Sequence, residues 1–136
     1  MTDLNFITVY MTAWNSHDTK QVVSLYTSDF EGTDVAEARP LRGLDDVRRM
    51  VKRFMVAFPD LNFVVQDVVF DTQTIVLSWK MRGTHNGPFM NIPASGRSVE
   101  ITGISMFGLK DGRIERGQQV WDLAGLLRSI GLLPRL

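Results

Sequence analysis

Trp79-Lys80-Met81-Arg82-Gly83-Thr84-His85-Asn86-Gly87-Pro88-Phe89 opens the stretch that decides the fold. It runs on through Ile92-Pro93-Ala94-Ser95-Gly96-Arg97 and Lys110-Asp111-Gly112-Arg113-Ile114 to Trp121-Asp122 and Leu126-Leu127-Arg128-Ser129-Ile130-Gly131. The apolar period here is two. Ile75, Leu77, Trp79 and Met81 fall on one face, and Ser78, Lys80 and Arg82 on the other, so 74–84 reads as a strand. Residues 98–109 and 114–121 read as two more strands. Lys110-Asp111-Gly112 joins them, because Asp-Gly tolerates the positive φ that a tight hairpin turn needs. Residues 86–96, with two prolines and two glycines, read as a loop. Leu123, Leu126, Leu127 and Ile130 give a final short helix its apolar side, with Gly131 as its C-terminal stop and Pro134 barring extension.

Working back from that stretch, 61–70 is another strand, paired with 74–84 through a turn at Asp71-Thr72-Gln73. Before Pro59 the period lengthens to that of a helix. Val47, Met50, Val51, Phe54, Met55 and Phe58 make one stripe over 45–58, and Asp45 and Asp46 sit in the first turn, where the helix dipole favours acids. Arg48, Arg49, Lys52 and Arg53 read as its solvated side. Phe30–Val35 reads as a short strand and 36–43 as a loop. A short helix begins at Asp18, with Gln21 three residues on. Residues 3–16 form an amphipathic helix on Phe6, Val9, Tyr10, Ala13 and Trp14, capped by Thr2 or Asp3. Helices first and long antiparallel strands after describe an α+β domain. A strongly twisted sheet of this size curls, and three N-terminal helices over its concave face would close a cone.

The 136 residues suit one domain, 1–136, long enough for a substantial core. Hydrophobic residues make up 44% and charged residues 22%, the balance of a soluble globular chain. Lysine plus arginine equals aspartate plus glutamate at 15 each, so nothing favours nucleic acid or an anionic membrane as partner. There is no cysteine, which excludes disulfides, thiolate metal sites and a cysteine nucleophile and fits a reducing, cytoplasmic setting. No secretory signal is visible at the N-terminus, and no apolar run approaches the ~18 residues of a membrane-spanning helix. No His, Asp and Glu set has metal-ligand spacing.

The pieces Trp14-Asn15-Ser16-His17-Asp18, Ala57-Phe58-Pro59-Asp60-Leu61, Gly83-Thr84-His85-Asn86-Gly87-Pro88-Phe89, Ile92-Pro93-Ala94-Ser95-Gly96-Arg97, Asp111-Gly112-Arg113-Ile114 and Trp121-Asp122 through Gly131 stand in order along the chain. Together they resemble the SnoaL-like polyketide cyclases of the nuclear-transport-factor-two-like superfamily. The resemblance implies a cone-shaped α+β barrel with a deep pocket, assembled as a homodimer or homotetramer. It implies ring closure by intramolecular aldol condensation of an aromatic polyketide ester in antibiotic biosynthesis, without metal or cofactor. It implies an acid/base aspartate at the end of the last strand, here Asp122. Relatives implicated in hydroxylating anthracycline rings leave other chemistry open. Where many relatives carry Glu-His-Trp in the last strand, this chain has Arg116-Gly117-Gln118.

Strand alternation puts Asp122 with Ile114, Gln118 and Val120, on a partly apolar face where a carboxyl is expected to titrate higher and exchange protons near neutral pH. Asp is also a preferred cap for a helix starting at Leu123. His85 shares parity with Trp79 and Met81 and is expected at the pocket mouth, polarising a carbonyl. Trp14, Trp79, Phe89 and Met106 are candidate walls for a flat hydrophobic ligand, and Gln118 a donor to its carbonyl. His17 reads as a capping or surface residue. Ser95 has no base at fixed spacing. The outward residues of the long strands, read as Val76 with Val99 or Ile101, suggest a homodimer through the sheet. The function expected is acid/base ring closure on a hydrophobic polycyclic carbonyl compound. The alternatives are hydroxylation, isomerisation or epoxide opening in the same pocket, or a ligand-binding module without turnover.

Overall fold

The computed structural model describes residues 3–135, so the cap expected of Thr2 or the Asp3 side chain lies outside what is described. The chain runs α1 (Asp3–Asn15), α2 (Thr19–Ser24), β1 (Tyr26–Asp34), β2 (Leu41–Arg42), α3 (Gly43–Ala57), β3 (Asn62–Asp71), β4 (Thr74–Thr84), β5 (Ser98–Lys110), β6 (Arg113–Trp121) and α4 (Leu123–Ser129). The six strands form one curved sheet in the order β2-β1-β6-β5-β4-β3. This is the α+β fold read from the helix-then-strand pattern. It departs in one respect: β1 pairs with β6 in parallel, so the sheet is mixed. The first strand is also longer than Phe30–Val35, because Tyr26 and Phe30 carry its buried side.

Local chemistry explains the boundaries. Asp18 Oδ1 accepts the Gln21 N–H at 3.0 Å and caps α2. Asp111 and Gly112 both have positive φ, 52° and 75°, as a two-residue hairpin turn demands. The α3 stripe is buried at Val47, Met50, Val51, Phe54 and Ala57. In α1, Phe6, Tyr10, Ala13 and Trp14 are buried, while Val9 is exposed at the edge of the stripe.

Three register shifts bend the sheet, one each in the β1–β6, β3–β4 and β5–β6 pairings. The concave side takes Ile75, Leu77, Trp79 and Met81 from β4, Val99, Ile101, Ser105 and Phe107 from β5, and Trp121 from β6. Val99 and Ile101 therefore point inward, not outward as the dimer reading had them. The outward residues of β5 are Thr102, Ile104 and Met106. The Asn15 side chain closes one rim, accepting from Phe63 N–H at 2.7 Å and donating to Phe63 C=O at 2.9 Å. It ties the end of α1 to β3 much as a further strand would.

Candidate functional site

Between α1, α3 and the concave sheet lies a cavity of about 20 Å³. That is room for about one water molecule, so the cone is nearly filled rather than deep. All three tryptophans of the chain, Trp14, Trp79 and Trp121, line it, with Phe54 and Phe63. Gly103, opposite Trp79 on one side and Trp121 on the other, makes room for them. A Cβ there would collide with the Trp79 ring and approach Trp121 Cβ to 2.7 Å.

The polar side chains of the wall are Tyr10, Ser105 and Gln119. Trp79 Nε1–H donates to Ser105 Oγ at 2.9 Å, and Ser105 O–H donates to Gln119 Oε1 at 3.4 Å. Among the described residues Gln119 Nε2 has only the weak acceptor Met50 Sδ, at 3.5 Å. The Gln119 side chain thus lines the cavity with its Oε1 on Ser105 and its Nε2 on a thioether. Tyr10 and Tyr26 share a hydrogen bond at 2.7 Å between their hydroxyls. Burial is the main force raising both phenols, Tyr10 to about 12, so both stay protonated.

Beside this wall stands Asp34, the last residue of β1, 5% exposed. It is the register partner of Gln119. Its Oδ1 accepts the Ala36 N–H at 2.8 Å and the Trp121 indole N–H at 3.1 Å. Its Oδ2 is buried with no hydrogen-bond partner. Burial raises its pKa above the ordinary 3.8, against the lowering pull of those two donors.

The structure separates the residues the sequence grouped. Trp14 and Trp79 line the cavity. Phe89 is buried one layer behind, against Phe54, Phe58 and Trp121, with ring centroids 5.5, 5.8 and 6.1 Å apart. His85 is fully buried, as its parity implied, but it stands outside the cavity wall and packs on Phe58 at 6.0 Å. Its Nδ1 accepts from the Ser95 N–H at 3.2 Å and lies 2.8 Å from Ser95 Oγ. The ring proton therefore sits on Nε2, which is buried without a partner. Burial lowers the His85 pKa below 6.5.

Three expectations are corrected. Asp122 does not point into the cavity: it is exposed, and its Oδ1 caps α4 by accepting the Gly125 N–H at 2.8 Å. Gln118 and Met106 are exposed register partners on the outer face. The cause is the β5–β6 bulge: Gly108 pairs with Arg116 but Leu109 with Ile114, so β6 gains a residue. Counting by twos from buried Ile114 then lands on the wrong face, and the inward residues are Gln119 and Trp121. Tyr10, Ser105 and Gln119, which line the cavity, and Tyr26 and Asp34 beside them were not among the candidates. Among the described residues no three His, Asp or Glu side chains gather as metal ligands, and no helix is long and apolar enough to cross a membrane.

The sequence model of the SnoaL-like polyketide cyclases matches residues 5–130, and the chain belongs to that family. Solved structures agree. AclR, a candidate hydroxylase from Streptomyces galilaeus, is 22% identical over 98% of this chain and 87% of its own, with a TM-score of 0.86. IdmH, a candidate polyketide cyclase from Streptomyces antibioticus, is 26% identical over 96% and 99%, with a TM-score of 0.81. A SnoaL-like polyketide cyclase from Agrobacterium tumefaciens is 23% identical over 96% and 100%, with a TM-score of 0.78. No curated protein resembles the chain at a significant level.

Proposed function

We propose that the chain is a polyketide cyclase-like enzyme. It takes a flat, hydrophobic carbonyl compound into the tryptophan-lined cavity and catalyses proton abstraction next to the carbonyl, leading to ring closure. The observation that carries this reading is the Gln119 side chain, which lines the aromatic cavity and whose N–H meets only a thioether among the described residues. A ligand carbonyl would be a better acceptor, and Gln119 takes the role first given to Gln118. Tyr10 supplies a second donor from α1. Preorganised donors of this kind stabilise an enolate oxygen more than a ground-state ketone. The chemistry uses side chains alone. Because the cavity is small, the ligand enters by displacing wall residues. Met11 and Met81 are unbranched and adaptable enough to move.

The test is NMR of the three indole N–H signals during titration with 1-tetralone, a flat bicyclic ketone with an acidic C–H next to its carbonyl. Saturable shifts of these signals, weakened in Gln119→Leu, are expected. Signals unmoved at millimolar ketone would sink the reading. A second reading keeps the ligand and removes the turnover. It is favoured by Asp122, whose carboxylate serves the helix end and not the cavity. Binding without any proton exchange would select it.

The same reading includes a homodimer through the outer sheet face. Ile104 and Val120 are register partners there and more than half exposed, with Met106 beside them. A patch of this kind on a sheet is commonly buried by a second copy.

A further inference from the structure

We infer that Asp34 is the proton acceptor of this site, working with the Tyr10–Tyr26 hydroxyl pair. The inference rests on the carbonyl-binding reading and adds to it the group that moves the proton.

Position comes first. Asp34 ends β1 directly beside Gln119 in the parallel pairing, and the two side chains stand together on the concave face. Its indole partner Trp121 is a cavity wall, and so is Tyr10. Burial first, and the charge of Asp34 last, push both the Tyr10 and Tyr26 phenols up.

Structural duty explains only half of the carboxyl. Oδ1 holds the turn at Ala36 and the Trp121 ring. Oδ2 holds nothing. Glu37 and Arg53 pair with each other at 3.2 Å, and their charges act on Asp34 in opposite directions, Glu37 raising its pKa and Arg53 lowering it. A buried carboxylate oxygen without a donor is costly to keep. It is what a base needs: one oxygen anchored, the other free to take a proton. Desolvation moves its pKa towards neutrality, which strengthens it as a base.

The step balances as follows. The C–H bond next to the ketone breaks and its proton goes to Asp34 Oδ2. The bond's electron pair forms the enolate C=C, and the carbonyl π pair moves onto oxygen. The Gln119 N–H and the Tyr10 O–H hold that oxygen, while Tyr26 O–H donates to the Tyr10 oxygen and strengthens its donation. The enolate carbon is then ready to form a ring bond, or to regain a proton from Asp34.

Exchange in deuterium oxide reads this step. The wild-type protein should accelerate deuterium uptake at C2 of 1-tetralone. Asp34→Asn should lose ~10²–10⁴-fold of that acceleration while the indole N–H signals still shift with ketone. Exchange undiminished in a folded Asn variant overturns the role of Asp34. Binding without exchange in the wild type overturns it too and leaves the ligand reading standing. Absence of binding removes both. If the Asn variant does not fold, the carboxyl ¹³C resonance of Asp34 in the wild type decides. It must move on ketone binding, and an unmoved resonance overturns the inference.

Discussion

Asp34 and Trp121 stand 87 positions apart, yet the indole N–H of one donates to the carboxyl of the other at 3.1 Å. The bond joins the end of the first strand to the end of the last, across the parallel pairing that makes the sheet mixed. Removing the acceptor in Asp34→Ala strands the buried Trp121 Nε1–H and the half-buried Ala36 N–H. An unsatisfied buried group costs about 1–3 kcal/mol, so the alanine variant should melt well below the wild type. Asp34→Asn keeps Oδ1 and removes the titration. Burial raises the folded pKa of Asp34 above 3.8, so the stability its neutral form contributes is fully present below that pH. It is lost as the pH rises through the raised value. Urea melts between pH 4 and 8 should therefore show the asparagine variant gaining on the wild type as pH increases. An asparagine variant that instead loses ground to the wild type as the pH rises would count against a raised Asp34.

Asp122 gives the opposite pattern. Its carboxylate accepts the Gly125 N–H at 2.8 Å from an exposed position. Asn caps about as well as Asp, so Asp122→Asn should change neither melting temperature nor deuterium exchange. Asp122→Ala should cost about 1 kcal/mol of stability. Loss of exchange in a folded Asp122→Asn variant would return this residue to the mechanism.

These two aspartates show how far the sequence could be read. Alternation placed Trp79, Met81 and His85 on the buried side of β4 correctly, because the stretch from Trp79 to His85 has no register break. The same count failed on β6, where the β5–β6 bulge swaps the faces and leaves no mark in the residue types. The inward amide was Gln119, one place from the expected Gln118. Asp34 was harder still. It shares strand parity with buried Phe30, but nothing near it in the chain shows the partner that anchors it, since Trp121 arrives through the β1–β6 pairing. The filled cavity was equally hidden. Large aromatic side chains are consistent with a wide pocket and with a packed one, and only their mutual geometry decides.

His85 predicts a response to acid. Its Nδ1 accepts from the Ser95 N–H and so helps hold the loop between β4 and β5. Phe58 packs beside it, and among the described residues no ion pair includes it. A proton on Nδ1 would set two N–H groups against each other and bury an unpaired charge. Because the folded pKa lies below 6.5, stability is fully present above that pH. It falls as the pH drops through the folded value. Hydrogen-exchange protection of residues 86–97, taken relative to the intrinsic rate at each pH, should fall as the pH drops below 6.5 and ahead of that of the sheet, and His85→Phe should remove that dependence. Protection in the loop that does not change below pH 6.5 would mean the imidazole does not hold it.

The outer sheet face makes the last prediction. Ile104 is 54% exposed and Val120 55%, and they pair across β5 and β6. Met106, next along β5 on the same face, is 43% exposed beside half-buried Val76 of β4. Four apolar side chains on three adjacent strands make a continuous patch, flanked by the Lys80–Glu100 and Arg82–Glu100 ion pairs. Contact between two such faces would remove apolar surface worth ~25 cal/mol per Å² from water, with the charged pairs left at the rim. The wild-type chain should therefore scatter light as a dimer at micromolar concentration. Ile104→Lys places a charge at the patch centre, facing its own copy across a two-fold axis. That variant should dissociate at least tenfold more readily. It should keep its circular dichroism and its response to 1-tetralone, since Ile104 touches neither the core nor the cavity. A wild-type monomer at micromolar concentration would remove the dimer. A dimer undisturbed by Ile104→Lys would move the interface to another face.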